Sequence, residues 1–90
     1  MEQAPVFLVG GKPPINYVLY TVNKLKDAPE LTVKARGRTI SKAVDVVEIL
    51  RRKYLKNLVV KTISIGTEEV IDQQTKKARR VSTLEIVLTK

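Results

Sequence analysis

Lys34-Ala35-Arg36-Gly37-Arg38-Thr39-Ile40-Ser41-Lys42-Ala43-Val44-Asp45-Val46-Val47-Glu48-Ile49-Leu50 reads as the end of a strand, a tight basic turn and the first turns of a helix. Upstream, residues 31–36 alternate strictly: Leu31, Val33 and Ala35 on one face, Thr32, Lys34 and Arg36 on the other. That is the period of a half-exposed strand. Gly37 permits the turn, and Thr39 or Ser41 supplies a helix cap. Ile40, Ala43, Val44, Val47, Leu50 and Tyr54 then form one helical stripe, with Val46 and Ile49 beside it. The polar side shrinks to Lys42, Asp45, Glu48 and Arg52, so this helix is either deeply covered or meets a partner.

Outward from this stretch the pattern is β-α-β-α-β-β. Residues 6–9 (Val-Phe-Leu-Val) suit a short strand buried on both faces. Gly10-Gly11-Lys12-Pro13-Pro14 stops it, and Pro14 fits the first turn of a helix. In residues 15–26, Ile15, Val18, Leu19, Val22 and Leu25 share one face, leaving Asn16, Tyr17, Tyr20, Asn23 and Lys24 off it. Asp27-Ala28-Pro29 ends that helix. Residues 58–71 form a long strand in which Val59, Ile63 and Ile65 share a face and Gly66 marks a bulge or bend. Residues 80–89 form the last strand, with Leu84, Ile86 and Leu88 on one face. Residues 72–79 contain neither Gly nor Pro, so the last two strands pair as a hairpin without a tight-turn signature. The expected fold is α+β: a compact two-layer sandwich with a protruding hairpin arm, a single domain over residues 1–90 with 1–5 disordered.

Composition narrows the function. Lys and Arg number 17 against 9 Asp and Glu, a net charge of +8. So strong a field favours nucleic acid or an anionic membrane surface as partner. With neither Cys nor His, ordinary zinc sites and histidine-based triads are excluded. No apolar run approaches the roughly 20 residues that span a bilayer. The N-terminus lacks the basic flank of a signal peptide, so the cell interior is the expected location. Gly10-Gly11-Lys12 is only a fragment of a phosphate loop, and Asp45 with Glu48 reads as a solvated helix face rather than an acid–base pair. No cofactor and no catalytic residue is expected. Phe7, Tyr17, Tyr20 and Tyr54 are the aromatics, and their spacing shows no base-stacking platform.

The positive charges gather at turns: Lys12 before the first helix, Arg36, Arg38 and Lys42 around the second, and Lys76, Lys77, Arg79 and Arg80 at the hairpin tip. Loops before helices combine free backbone N–H groups with cations, which suits phosphate. A basic arm suits a narrow, negative groove. Glu30 and Glu85 compete as ion-pair partners for Arg36 and Arg38. A solvated charge run would also explain the tip.

Three segments carry a family resemblance: Phe7-Leu8-Val9-Gly10 with Lys12-Pro13 and Asn16-Tyr17-Val18; residues 34–45; and Arg80-Val81-Ser82-Thr83-Leu84-Glu85-Ile86. Together they resemble Alba (Sac10b), the archaeal chromatin proteins. The resemblance implies a fold similar to a translation initiation factor C-terminal domain. It also implies a homodimer with two arms, pairing with a paralogue and further assembly on DNA, and condensation of double-stranded DNA without sequence preference in the cytoplasmic nucleoid. RNA is a second partner, and the alternative role is an RNA-binding subunit or chaperone of a ribonucleoprotein. The implied nucleic-acid contacts are Lys12, Asn16, Tyr17, Arg36, Arg38, Lys42, Lys76, Lys77, Arg79 and Arg80. Tyr54 stands where a phenylalanine joining dimers is common. Many members carry two consecutive lysines in the first loop, the first acetylated; here the pair reads Gly11-Lys12, leaving Lys12 as its substitute.

Overall fold

The computed structural model describes residues 5–90. Its order is β1 (Val6–Leu8), α1 (Pro14–Asp27), β2 (Glu30–Arg36), a 3-10 turn (Gly37–Thr39), α2 (Ile40–Ile49), β3 (Val59–Ile71) and β4 (Ala78–Thr89). A π-type turn over Leu50–Tyr54 prolongs α2, closed by Leu55 N–H donating to Leu50 O. The strands form one sheet in the order β1-β2-β4-β3. β1 and β2 are parallel; β4 is antiparallel to both β2 and β3. The helices pack on each other and on β2, leaving the opposite sheet face open. The expected β-α-β-α-β-β two-layer order is what forms.

The alternation in β2 and β4 builds the core. Leu31, Val33, Ala35, Leu84, Ile86 and Leu88 are buried beneath Val18, Leu25, Ala43, Val46, Val47 and Leu50. Complete burial of a Leu or Val side chain contributes about 1.5–3 kcal/mol, so these apolar faces dominate the stability.

Several expectations shift. The segment 6–9 is not buried on both faces: Val6 and Leu8 are half exposed, and only Val9 is buried with Phe7 partly so. β1 is an edge strand whose outer face no layer of the described residues covers. In α1 the buried face is Val18, Thr21 and Leu25, with Tyr17 packed against the core. Ile15 and Leu19 are exposed instead. The rotation leaves Tyr17 beside the core with its hydroxyl reaching the loop after β1. Thr21 tolerates burial because its hydroxyl donates to Tyr17 O at 2.8 Å.

In β3 the register breaks between Val60 and Thr62, not at Gly66. Cross-strand partners project to one face. Ile63 and Ile65 pair with Ile86 and Leu84 and thus lie on the helix side, whereas Val59, paired with Thr89, does not. No helix reaches over them, and Ile63 is 62% and Ile65 84% exposed. Pro5 is ordered enough to accept from Thr32 N–H at 2.9 Å; the rest of the expected disordered lead, 1–4, lies outside the described residues.

β2 stops pairing at Arg36 opposite Thr83, which in turn faces Gly66. Residues 67–82 therefore form a two-stranded arm with no third strand. Five rungs and the turn carry it roughly 20 Å beyond the body. Its tip dispenses with glycine. Asp72 carboxylate accepts from Gln74 and Thr75 N–H, and Lys76 takes the left-handed conformation at φ 59°. The last strand begins at Ala78 rather than residue 80, so Arg79 and Arg80 stand on the arm, not in its turn.

Candidate nucleic-acid interface

Two loops and the arm meet at the N-terminal end of α2. The turn after β2 is tied by Thr39, whose hydroxyl accepts from Arg36 N–H at 3.2 Å and donates to Arg36 O at 2.9 Å. Thr39 thus closes the turn on itself and makes no side-chain cap on α2. Gly37 sits at φ +58°, a region that disfavours side chains, and an added Cβ would lie 3.3 Å from Val81 Cγ1. The turn is therefore pressed against the base of the arm.

This packing makes a groove of about 600 Å³ lined by Arg36, Gly37, Arg38, Val70, Arg79, Arg80, Val81 and Ser82. Four guanidinium side chains line it and, among the described residues, no carboxylate does. Arg36 forms an ion pair, but with neither expected partner: its guanidinium meets Glu68 at 3.1 Å. Glu85 instead pairs with Lys34, and Glu30 with Lys61. Glu68 was invisible to sequence reasoning because only the hairpin register sets it beside Arg36. Among the described residues, Lys12, Arg38, Lys76, Lys77, Arg79 and Arg80 form no ion pair.

The first loop is held from both sides. Tyr17 hydroxyl accepts from Gly10 N–H at 2.8 Å and Lys12 N–H at 3.3 Å. Lys42 Nζ donates to Gly10 O at 2.9 Å and Lys12 O at 3.0 Å. These N–H groups are therefore not free to grip phosphate, contrary to the sequence expectation. What the loop offers outward is the exposed Lys12 side chain. Tyr17 and Lys42 act inside the protein, and Lys42 ties α2 to the loop across 30 residues of sequence.

Other expected residues lie apart. Lys76 and Lys77 are exposed at the arm tip, outside the groove. Tyr54 is 45% exposed at the far end of the second helix, roughly 20 Å along its axis from Ile40. Asn16 is exposed in the first turn of α1, beside an aromatic cluster that sequence spacing concealed. Phe7 from β1 stacks on Tyr17 (centroids 5.8 Å, 5°) and meets Tyr20 edge-on (5.2 Å, 68°).

A two-layer α+β domain with an extended hairpin, a lysine loop and an arginine groove at one end of its second helix is a defined class of small basic protein. The Alba family model matches residues 5–67, and the chain belongs to that family. The chain is 45% identical to "DNA/RNA-binding protein Alba 1" of Archaeoglobus fulgidus, over 100% of this chain and 99% of the relative. It is 47% identical to "DNA/RNA-binding protein Alba" of Nanoarchaeum equitans, over 96% and 98%. Among solved structures it superposes on Alba from Thermoplasma volcanium with a TM-score of 0.88 at 40% identity, covering 94% of this chain and 99% of that one.

Proposed function

We propose that this protein binds double-stranded DNA and RNA through their phosphates, without sequence preference, as an architectural protein of the chromosome. The observation that carries this reading is the groove of four arginines with no carboxylate among the described residues. The names of relatives at 45% and 47% identity support it. Arg36, Arg38, Arg79 and Arg80 take the backbone, Lys12 extends the contact from the neighbouring loop, and Lys76 and Lys77 carry it outward along the arm. Guanidinium forks suit phosphate oxygens, and contacts of this kind carry no sequence information. Tyr17 and Lys42 hold the loop that presents Lys12. A role for Lys12 as an acetylation site rests on the family resemblance alone.

The protein acts as a homodimer. Ile63 and Ile65 form an apolar stripe on the helix side of β3 with no helix of their own chain above it, and a second copy supplies the cover. A paralogue with the same stripe would fit equally. Tyr54, exposed at the other end of the second helix, joins dimers along the nucleic acid. Among the described residues no helix is long and apolar enough to cross a membrane. The test is a titration of duplex DNA and duplex RNA over a series of salt concentrations, with the mass in solution measured in parallel. The expected result is log K falling linearly with log salt, equally for unrelated sequences, at the mass of a dimer. A salt-independent affinity or a preference for one sequence refutes the reading.

A further inference from the structure

The cluster of Phe7, Tyr17 and Tyr20 has more exposure than a core contact needs. Tyr20 is 39% exposed, and Phe7 and Tyr17 are only partly buried. A cleft of about 270 Å³ opens on them, completed by Lys12 and Asn16. Among the described residues no carboxylate lines it. Lys24 stands over the Tyr20 ring with Nζ 5.6 Å from the centroid.

The floor has polar groups to offer as well. Pro5 O and Val9 N–H both bond to β2. In a parallel strand alternate residues point the same way, so Leu8, one residue out of phase, turns its N–H and C=O to the free edge. Asn16 is exposed and lines the cleft as well. An aromatic floor, backbone and amide hydrogen-bonding groups at its edge, and a lysine on the rim match a planar aromatic ligand attached to a phosphate.

We propose that this cleft stacks one unpaired nucleobase, from a bulge, loop or single strand of RNA or DNA, while Lys12 holds the adjacent phosphate. The inference rests on the phosphate-binding reading above and adds to it a site for the base itself. A paired base cannot enter, because its faces are covered by its neighbours in the stack. The cleft therefore distinguishes irregular or single-stranded nucleic acid from perfect duplex, while the arginine groove does not. Stacking reads the ring and not the sugar, so RNA and DNA bases are received alike.

The test compares Tyr20→Ala, Tyr20→Phe and wild type on four probes: a perfect RNA duplex, the same duplex with a one-nucleotide bulge, and single strands of RNA and DNA. Tyr20 is partly exposed, so both variants are expected to melt like wild type. Tyr20→Ala is expected to weaken the bulged and single-stranded probes about tenfold, within the range for losing one base–aromatic stack. The perfect duplex should be unchanged, and Tyr20→Phe, which keeps the ring, should bind every probe like wild type. A 2-aminopurine placed in the bulge should be quenched by wild type and not by Tyr20→Ala. Equal weakening of all probes, weakening of none, a loss confined to RNA, or unaltered quenching overturns the proposal. If instead wild type binds none of the probes, the phosphate-binding reading fails with it; duplex binding that persists while the bulge effect is absent refutes the cleft alone.

Discussion

Replacing Lys42 with methionine keeps the four-atom apolar stem of the side chain and removes its ammonium. In the structure that ammonium donates to Gly10 O and Lys12 O and has no ion pair among the described residues. Hydrogen bonds from charged groups contribute about 1.5–3 kcal/mol each when well shielded. Lys42 is only half buried, so water takes over part of that, and about 1–1.5 kcal/mol for both bonds together is reasonable. That energy holds the loop in the form that presents Lys12. Apparent affinity scales with the fraction of time the loop holds this form, so a loss of up to about fivefold to tenfold is expected. The assay is duplex DNA binding at several salt concentrations. A residue that touches phosphate takes about 0.9 off the slope of log K against log salt when its charge is removed. Lys12→Ala should show that drop. Lys42→Met should instead give a line parallel to wild type, displaced downward. Tyr17→Phe, which removes the acceptor for Gly10 and Lys12 N–H, should displace it likewise, and the double variant should lose less than the sum because both hold one loop. A slope reduced by nearly one unit in Lys42→Met would show that Lys42 meets phosphate itself and would refute the holding role.

Gly37→Ala should destabilise the fold by about 1–2 kcal/mol in urea unfolding, the cost of a side chain in the left-handed region, since the turn is already pressed on Val81. Ile65→Asp, at a position 84% exposed, should leave the monomer's secondary structure intact and yield the monomer mass by light scattering; a persistent dimer would place the interface elsewhere. Arg38→Ala and Arg80→Ala should each lower the salt slope by about 0.9 on duplex DNA and weaken all sequences alike. Glu68→Gln frees Arg36 from an exposed pair of the kind worth about 0.2–1 kcal/mol, so duplex affinity should rise about twofold; a fall would mean that Glu68 orients Arg36 for binding.

The elements with a clean period were legible. β2 and β4 alternate because one face is covered and the other is not, and that contrast is written in Leu31, Val33, Ala35, Leu84, Ile86 and Leu88. β1 was misread because an apolar run looks the same whether a strand is central or at an edge with an open face. β3 was misread because its register shift falls by Lys61, which carries no glycine signal, and one extra residue reverses which side chains face the helices. In α1 the counted apolar face omitted Tyr17 and Thr21. A ring with a hydroxyl handle and a threonine bonded to the preceding turn pack where the period alone would put Ile15 and Leu19. The basic site was legible as a set of turns, yet its supports were not. Lys42 reaches Gly10 across 32 residues, and Glu68 reaches Arg36 across the same separation. No local spacing encodes such contacts.

The cations of this chain sort by what the fold asks of them. Lys34, Arg36, Arg51, Arg52 and Lys61 face carboxylates. Lys42 and Lys90 donate to backbone carbonyls. Lys24, Lys26 and Lys53 stand in the last turns of the two helices, with Lys56 just beyond the second, where positive charge complements the helix end. Once these are assigned, Lys12, Arg38, Lys76, Lys77, Arg79 and Arg80 are left, and among the described residues none has an intramolecular role for its charge. They are not scattered: all belong to the first loop, the turn after β2 or the arm. Clustering like charges in this way raises the energy of the isolated protein through self-repulsion. An external anion that relieves it gains correspondingly, and released counterions add to that gain. A polyanionic partner is therefore called for less by the total of +8 than by where the unassigned part of that charge lies.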